Sequence, residues 1–383
     1  MNICQKCIMD DQNDKNIHFD QFGICNYCKD FDDKKKLYTF TESQVRLNLE
    51  EIKKKISYVK SGEYDLITGV SGGVDSSYLI HLIKELKLKP LVIHFDNGWN
   101  SDLAVTNIKN LLDKTNFDYI TEVIDWNEFK SLQRSFIKAG VVDIELLTDH
   151  AITATLFKYA KKYKIRTIFS GANFATEHGM PDAWAWQKSD LRNILDINKN
   201  FENIKLITFP TFNTLSALTE MFKSKYKLGN WYQKIEPLNL INYKKNDAIE
   251  TLNKEYNWVY YGEKHYESTF TEFYQAYILI KKFKIDKRKP HISSLIRNGE
   301  IYRKDALEKI KLPPYINKEI ERKKRDYFLK KIGMSDEDFE KILSSKPKMH
   351  LDYKNEYYIF QILQFYRRFL NPKNVLKKIW KRF

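Results

Sequence analysis

Residues 65–83 read DLITGVSGGVDSSYLIHLI. The stretch Asp65 to Val70 ends in an apolar run that stops at Ser71-Gly72-Gly73, and a helical pattern begins at once with Ser76-Ser77. A strand, a glycine turn and a helix start in that order build an anion site. The N–H groups at the helix N-terminus point outward, and the glycines let a phosphate approach the chain closely. The stretch is not a Walker A loop, because its spacing differs and no Lys precedes the Ser pair. In the helix that follows, Leu79, Leu82, Ile83 and Leu86 fall on one face.

Outward from this loop, strands are predicted at Tyr64 to Val70, Pro90 to Phe95, Tyr119 to Ile124 and Arg166 to Ser170, with helices near Ser76 to Lys87, Asp102 to Lys114 and His150 to Tyr163. A capping box at Thr41 to Gln44 starts an earlier helix that reaches about Val59. The alternation predicts an α/β fold, a doubly wound parallel sheet with helices on both sides. Ligands bind such sheets at the carboxyl ends of the strands. Three marked stretches fall there: Ser71 to Ser76, Phe95 to Gly98, and Ser170 to Asn173. From about Asp247 the sequence turns helical, aromatic and basic. The expected organisation is residues 1–32 as a metal ribbon, 33–60 as a linker helix, 61–250 as the nucleotide domain, and 251–383 as a mostly helical substrate-recognition region with a basic tail.

All four cysteines lie near the start, as Cys4-Gln5-Lys6-Cys7 and Cys25-Asn26-Tyr27-Cys28. Two CxxC pairs at this separation close a tetrahedral thiolate site, and structural zinc is the expected ion, with an iron–sulfur cluster or redox pairs as alternatives. With every cysteine so used, no thiol nucleophile remains. The chain therefore cannot hydrolyse glutamine by the usual cysteine routes, and its ammonia must come from solution or from another protein.

The chain has 383 residues, 43% hydrophobic content and a formal charge of +15. That size supports a substantial core, and the charge favours an anionic partner. No secretory signal or membrane-length apolar stretch is found, which points to a cytoplasmic protein. The tail places Arg367, Arg368, Lys377, Lys378, Lys381 and Arg382 among Phe365, Phe369, Trp380 and Phe383. Such a basic amphipathic end is a solvated last helix, a weak contact to an anionic membrane surface or a docking segment for a partner.

Ser71-Gly72-Gly73-Val74-Asp75-Ser76 resembles the SGGxDS signature of the PP-loop ATP pyrophosphatases, whose fold is adenine nucleotide alpha-hydrolase-like. The resemblance implies that the loop grips departing pyrophosphate while a substrate carbonyl oxygen is adenylated. It implies ATP-binding roles for Ser71, Gly72, Gly73, Asp75, Ser76, Asp96, Gly98, Gly171 and Asn173, with Asp75 helping to place Mg2+. Lys244 or Lys245, after Pro237-Leu238, resembles a late family lysine that neutralises developing charge.

A wider resemblance rests on the CxxC pairs, TDHAI at 148–152, GANFATE at 171–177, YYGEKHYESTFTEFYQAYI and KIDKRKPHISSLI. Together these are similar to the N-acetyl sugar amidotransferases, which convert acetamido groups of surface-polysaccharide and flagellar sugars to acetamidino groups. The likeness implies sugar recognition by Lys264, His265, Ser268, Lys287, Arg288, His291 and Ser293, and a catalytic role for His265 and Glu267. Glu267 reads equally as a general base or as a salt-bridge partner. No paired spacing makes a second metal site of His150, His265 and His291. The implied substrate is a nucleotide-linked or nonulosonic sugar, and the implied partners are a separate glutaminase and an ammonia-conducting subunit resembling those of imidazole glycerol phosphate synthase. A PP-loop tRNA-modifying enzyme is the alternative. Nucleic acid is not the expected partner, since no RNA-binding module is recognisable. A non-catalytic adaptor would have no use for an intact loop with Asp75.

Overall fold

The computed structural model describes residues 2–12, 14–229 and 231–362, so the basic tail from Phe365 onward lies outside the described residues. Five strands, β1 (Leu66–Val70), β2 (Pro90–Asp96), β3 (Tyr119–Val123), β4 (Thr167–Phe169) and β5 (Gln233–Ile235), form one sheet in the order β3-β2-β1-β4-β5. Every pairing is parallel, with Thr68 opposite Val92 and Ile67 opposite Ile168. β1 and β2 read as nearly continuous apolar runs because both of their faces are covered. β3, at an edge, alternates between exposed and half-buried residues.

The first helices are α1 (Asn26–Lys35), α2 (Glu42–Val59), α3 (Val74–Glu85), α4 (Asp102–Thr115), α5 (Trp126–Ala139) and α6 (Leu146–Lys162). The capping box predicted at Thr41 starts α2. Ser101 and Asp125 cap α4 and α5 by accepting N–H groups of the first turn. Beyond β4 come α7 (Phe174–Glu177), α8 (Leu191–Phe201) and α9 (Thr214–Tyr226). After β5 follow α10 (Lys245–Tyr256), α11 (Thr269–Phe273), a π-helical continuation over Tyr274–Phe283, α12 (Arg288–Asn298), α13 (Arg303–Lys311), α14 (Lys318–Ile332) and α15 (Asp336–Ser344).

The sheet is covered on both sides. Leu79 and Ile83 of α3, Leu111 of α4 and Leu252 of α10 pack with Leu66 and Val92. Tyr159 and Ala160 of α6 pack with Ile67, Leu91 and Ile168 on the opposite face. A larger cluster joins Phe129 and Phe136 of α5 and Ile194 of α8 to Phe273, Leu279, Phe328 and Phe339. The C-terminal helices thus share a core with α5 and α8.

Two expected boundaries fall inside helices. Residue 32 lies within α1, the helix that also holds the ribbon's Cys28, and residue 250 lies within α10, whose Ala248, Leu252 and Tyr256 are part of the sheet's own core. The sequence reading has no α1, α5, α7, α8, α9 or β5. β5 is only three residues long, and α7 four, so neither offers a period to detect.

Candidate active site

The strand order reverses direction between β1 and β4, and the crevice at such a switch point receives ligands. The turn after β1 and the turn after β4 flank it. Gly171 packs against the loop, where a Cβ would stand 3.4 Å from the Asp75 carbonyl carbon and the Ser76 nitrogen. Ser71 Oγ and Ser76 Oγ lie 3.1 Å apart, and the Gly73 N–H donates to Ser71 Oγ at 3.3 Å. Gly72, at φ +79°, lies against the Ala104 backbone.

Above this loop sits a carboxylate. Glu267 Oε1 lies 3.4 Å from Ser71 Oγ and 2.7 Å from where a Gly73 Cβ would stand. Its Oε2 is buried without a hydrogen-bond partner. Tyr261 OH accepts the Val74 N–H at 3.1 Å, occupying one of the helix-start donors.

Asp75 turns sideways. Tyr243 donates to its Oδ1 at 2.6 Å, while Thr176 Oγ1 and Lys264 Nζ each lie 3.3 Å from Oδ2. Burial opposes its charge, but Lys264 and the Tyr243 hydroxyl outweigh burial and hold its carboxyl below the usual range. Lys264 also reaches Glu177 at 3.0 Å and Thr176 Oγ1 at 2.9 Å. Lys264, expected from the sequence at the sugar, is thus the cation beside Asp75. The two candidate lysines separate clearly. Lys244 is exposed at the N-cap of α10. Lys245 lies 2.9 Å from Tyr260 OH and over its ring, and burial lowers its pKa with Asp75 partly compensating.

Asp96 and Gly98 form a self-contained turn. Asp96 Oδ1 accepts the Gly98 N–H at 2.8 Å and Asn100 Nδ2 at 3.2 Å, and Gly98, at φ +78°, faces the Trp126 ring. Their neighbours Phe95, Asn97 and Asn100 line the crevice. Asn173 is buried and caps α7, accepting the Thr176 N–H at 2.9 Å.

The crevice opens into a cavity of about 630 Å3, whose lining includes Ser71, Ser76 and Gly171 together with Glu145, Lys188 and Lys287. His265, Glu267, Ser268 and His291 lie on its wall. The His265 and His291 rings stand 5.5 Å apart, and His265 Nδ1 lies 3.8 Å from Glu267 Oε1. Both ring nitrogens of His291 are buried without partners, and burial pushes its pKa well down. Ser268 caps α11 through the Thr271 N–H. Lys287 meets Glu145 Oε2 at 2.6 Å. Arg288 is directed elsewhere: it pairs with Asp286 and donates to the Leu312 carbonyl. Ser293 accepts the Ile8 N–H and joins the ribbon, not the cavity.

Several site residues carry no role in the sequence reading. Asp143 and Asp149 hold Lys188 at 2.8 and 3.0 Å. Burial works against the Lys188 charge, but Asp149 and Asp143 outweigh it and raise its pKa. Glu145 is held ionised by Lys287 against the cost of burial, whereas burial raises Asp149. Gln275, from the π-helical segment, donates to Glu145 at 3.2 Å. Asp149, Thr176, Glu177 and Tyr261 stand inside motifs quoted above; Asp143, Glu145 and Lys188 had no signal, because unrelated loops bring them together.

The four cysteine sulfurs are buried and lie within 4.8 Å of one another, a donor set able to hold one metal ion. The N–H groups of Lys6 and Cys25 point at Cys4 Sγ, at 3.4 and 3.2 Å, as thiolate ligands require.

Sheet order and loop position define a parallel α/β protein with a glycine-rich loop at the switch point of its sheet. Residues 267–367 match the family described as LPS biosynthesis protein WbpG-like, C-terminal domain. No curated protein matches it. Among solved structures, NMN synthetase from Francisella tularensis is similar at 13% identity and TM-score 0.31, over 57% of this chain and 94% of that one. The NH3-dependent NAD synthetase from Campylobacter jejuni subsp. jejuni, in complex with the nitrate ion, is similar at 13% and 0.30, over 56% and 85%. The U34-tRNA thiolase NcsA from Methanococcus maripaludis, with its 4Fe-4S cluster, is similar at 15% and 0.30, over 80% and 89%.

Proposed function

We propose that this chain is an ATP-dependent amidotransferase that converts an acetamido group of a nucleotide-linked or nonulosonic sugar to an acetamidino group, in O-antigen, capsule or flagellin glycan biosynthesis. The observation that carries the reading is the continuous cavity. It runs from the SGGVDS loop to side chains of the WbpG-like segment, including Glu267, Gln275, Lys287 and His291.

An amide carbonyl resists ammonia because its oxygen leaves poorly. In the proposed reaction that oxygen attacks the α-phosphorus of ATP, the bond to pyrophosphate breaks, and an adenylated imidate forms. Ammonia adds to the imidate carbon, the carbon–oxygen bond breaks, and AMP departs with the former carbonyl oxygen, leaving an amidinium. Mg2+ bound with ATP would screen the crowded phosphate oxygens. Ser71, Gly73, Ser76 and the start of α3 hold the leaving pyrophosphate. Lys245 and Lys264 supply positive charge as it departs. Glu267, with a buried unpartnered oxygen, accepts the proton that ammonium must lose before it can attack. Lys287 and Lys188 orient the acidic part of the sugar.

The ion in the ribbon is proposed to be structural zinc. Ammonia is proposed to come from a separate glutaminase through a conducting subunit, because all four cysteines are buried in the ribbon. The test is pyrophosphate release from MgATP and ammonium, with diacetamido sugar nucleotides, nonulosonic acids and total tRNA as acceptors. Sugar-dependent release with a product in which oxygen is replaced by NH supports the reading. Release that depends on tRNA overturns it.

A further inference from the structure

We propose that the four-cysteine ribbon sets the geometry of the nucleotide loop through α7, with Asp30 and His178 as the positioning pair; this rests on the ATP-binding reading above. α7 is a single turn of four residues, and so short a helix has no stability of its own. Its conformation is imposed by what clamps it. On one side the ribbon's helix α1 supplies Phe31, stacked on Phe174 at 4.6 Å, and Tyr38, just beyond α1, stacks on the same ring at 4.3 Å. Asp30 Oδ2 meets His178 Nε2 at 2.7 Å. On the other side α12 packs along α7, and Arg297 and Ser294 both donate to the His178 carbonyl at 2.7 Å.

The ribbon grips α12 as well. The Ile8 N–H donates to Ser293 Oγ at 3.2 Å, Ile8 packs with Ile292 and Ala306, and Lys289 pairs with Asp10. Arg303, at the start of α13, donates to the carbonyls of Cys4 and Cys7 at 2.7 and 3.0 Å, fixing the turn that carries the first two thiolates. The metal knuckle and α12 therefore form the two jaws around α7. What α7 presents to the far side is Thr176 and Glu177, the residues that hold Lys264 against Asp75. Closure of the thiolate site orders the jaw, the jaw fixes Thr176 and Glu177, and these fix the charge pair beside the SGGVDS loop. The coupling works in both directions, because linkage between two binding sites is reciprocal.

The test uses the full chain with its metal, measuring MgATP affinity by calorimetry and metal affinity by competition with a chelator of known strength. Saturating MgATP should raise metal affinity at least about fivefold, the lower end of usual coupling. His178→Ala should weaken MgATP binding by a similar factor and remove the metal effect, while His178→Gln, which still donates to Asp30, should restore part of both. Asp30→Asn, at a half-exposed side chain, gives a second disruption should His178→Ala fold poorly. Asp75→Ala should lose MgATP affinity yet keep its metal. Metal affinity indifferent to bound MgATP overturns the proposal, as does a folded His178→Ala with both affinities unchanged. Absence of any MgATP binding in the unaltered chain instead overturns the ATP reading, and the coupling falls with it.

Discussion

Gly72 and Gly73 stand side by side and do different work, and their substitution separates folding from binding. Gly72 has φ +79°, with the Ala104 carbonyl oxygen 2.8 Å from a would-be Cβ. Gly72→Ala is expected to cost about 1–2 kcal/mol in left-handed strain alone, read as a lower urea midpoint. Gly73 has φ −74°, which any residue adopts, and the atoms nearest to its would-be Cβ belong to the Glu267 carboxylate and the Tyr261 hydroxyl, both ends of side chains. Gly73→Ala should therefore keep most of the stability while MgATP binding, followed by calorimetry, falls at least tenfold, about 1.4 kcal/mol. Asp75→Ala removes the carboxylate that Lys264 and Tyr243 share, and pyrophosphate release should drop below detection. A variant that retained turnover would dissociate Asp75 from the chemistry.

At the scale of elements, two histidines tie loops to helices as neutral rings. His150 of α6 lies 2.7 Å from the Lys188 carbonyl through Nδ1 and accepts the Phe212 N–H at Nε2. His350 does the same between Asn193 Oδ1 of α8 and the Asp143 N–H. Each Nε2 faces a donor, so a proton there would meet another N–H. Burial lowers both pKa values to about 4. Because the folded values lie below the unfolded value near 6.5, the unfolded chain binds more protons between them. Stability is fully present above about pH 6.5 and falls as the pH drops toward 4, by up to about 2.7 kcal/mol per pH unit for the two together. Urea midpoints between pH 7 and 4 check this, and His350→Asn should flatten the slope. At α2, Thr41→Ala removes the capping box and should cost about 1 kcal/mol.

For the molecule as a whole, α5 and α8 share one core with the C-terminal helices α11, α14 and α15, so these helices do not form an independent unit. Residues 251–383 expressed alone should not fold, as circular dichroism would register. All four cysteines are consumed in the ribbon, none lining the cavity. The purified chain should therefore turn over with ammonium and not with glutamine; glutamine-driven turnover in its absence would contradict the assignment. Among the described residues no helix is long and apolar enough to cross a membrane.

The sequence by itself determined the sheet strands β1 to β4, the loop at the end of β1 and the four-cysteine cluster. Each is a local pattern: an apolar run bounded by glycine, a short-range motif, a pair of CxxC turns. It also marked the segments that reach the cavity, and His265, Glu267 and Lys287 line it. What only the tertiary structure decided is which member of each segment faces in. Lys264 turned to Asp75, Arg288 to Asp286, and Ser293 to the ribbon, each drawn to the nearest group that compensates its burial. Asp143, Glu145 and Lys188 were invisible for the same reason. Their pairing spans loops distant in sequence, and a charge acquires its role from the partner that desolvation forces on it, which periodicity and spacing do not encode.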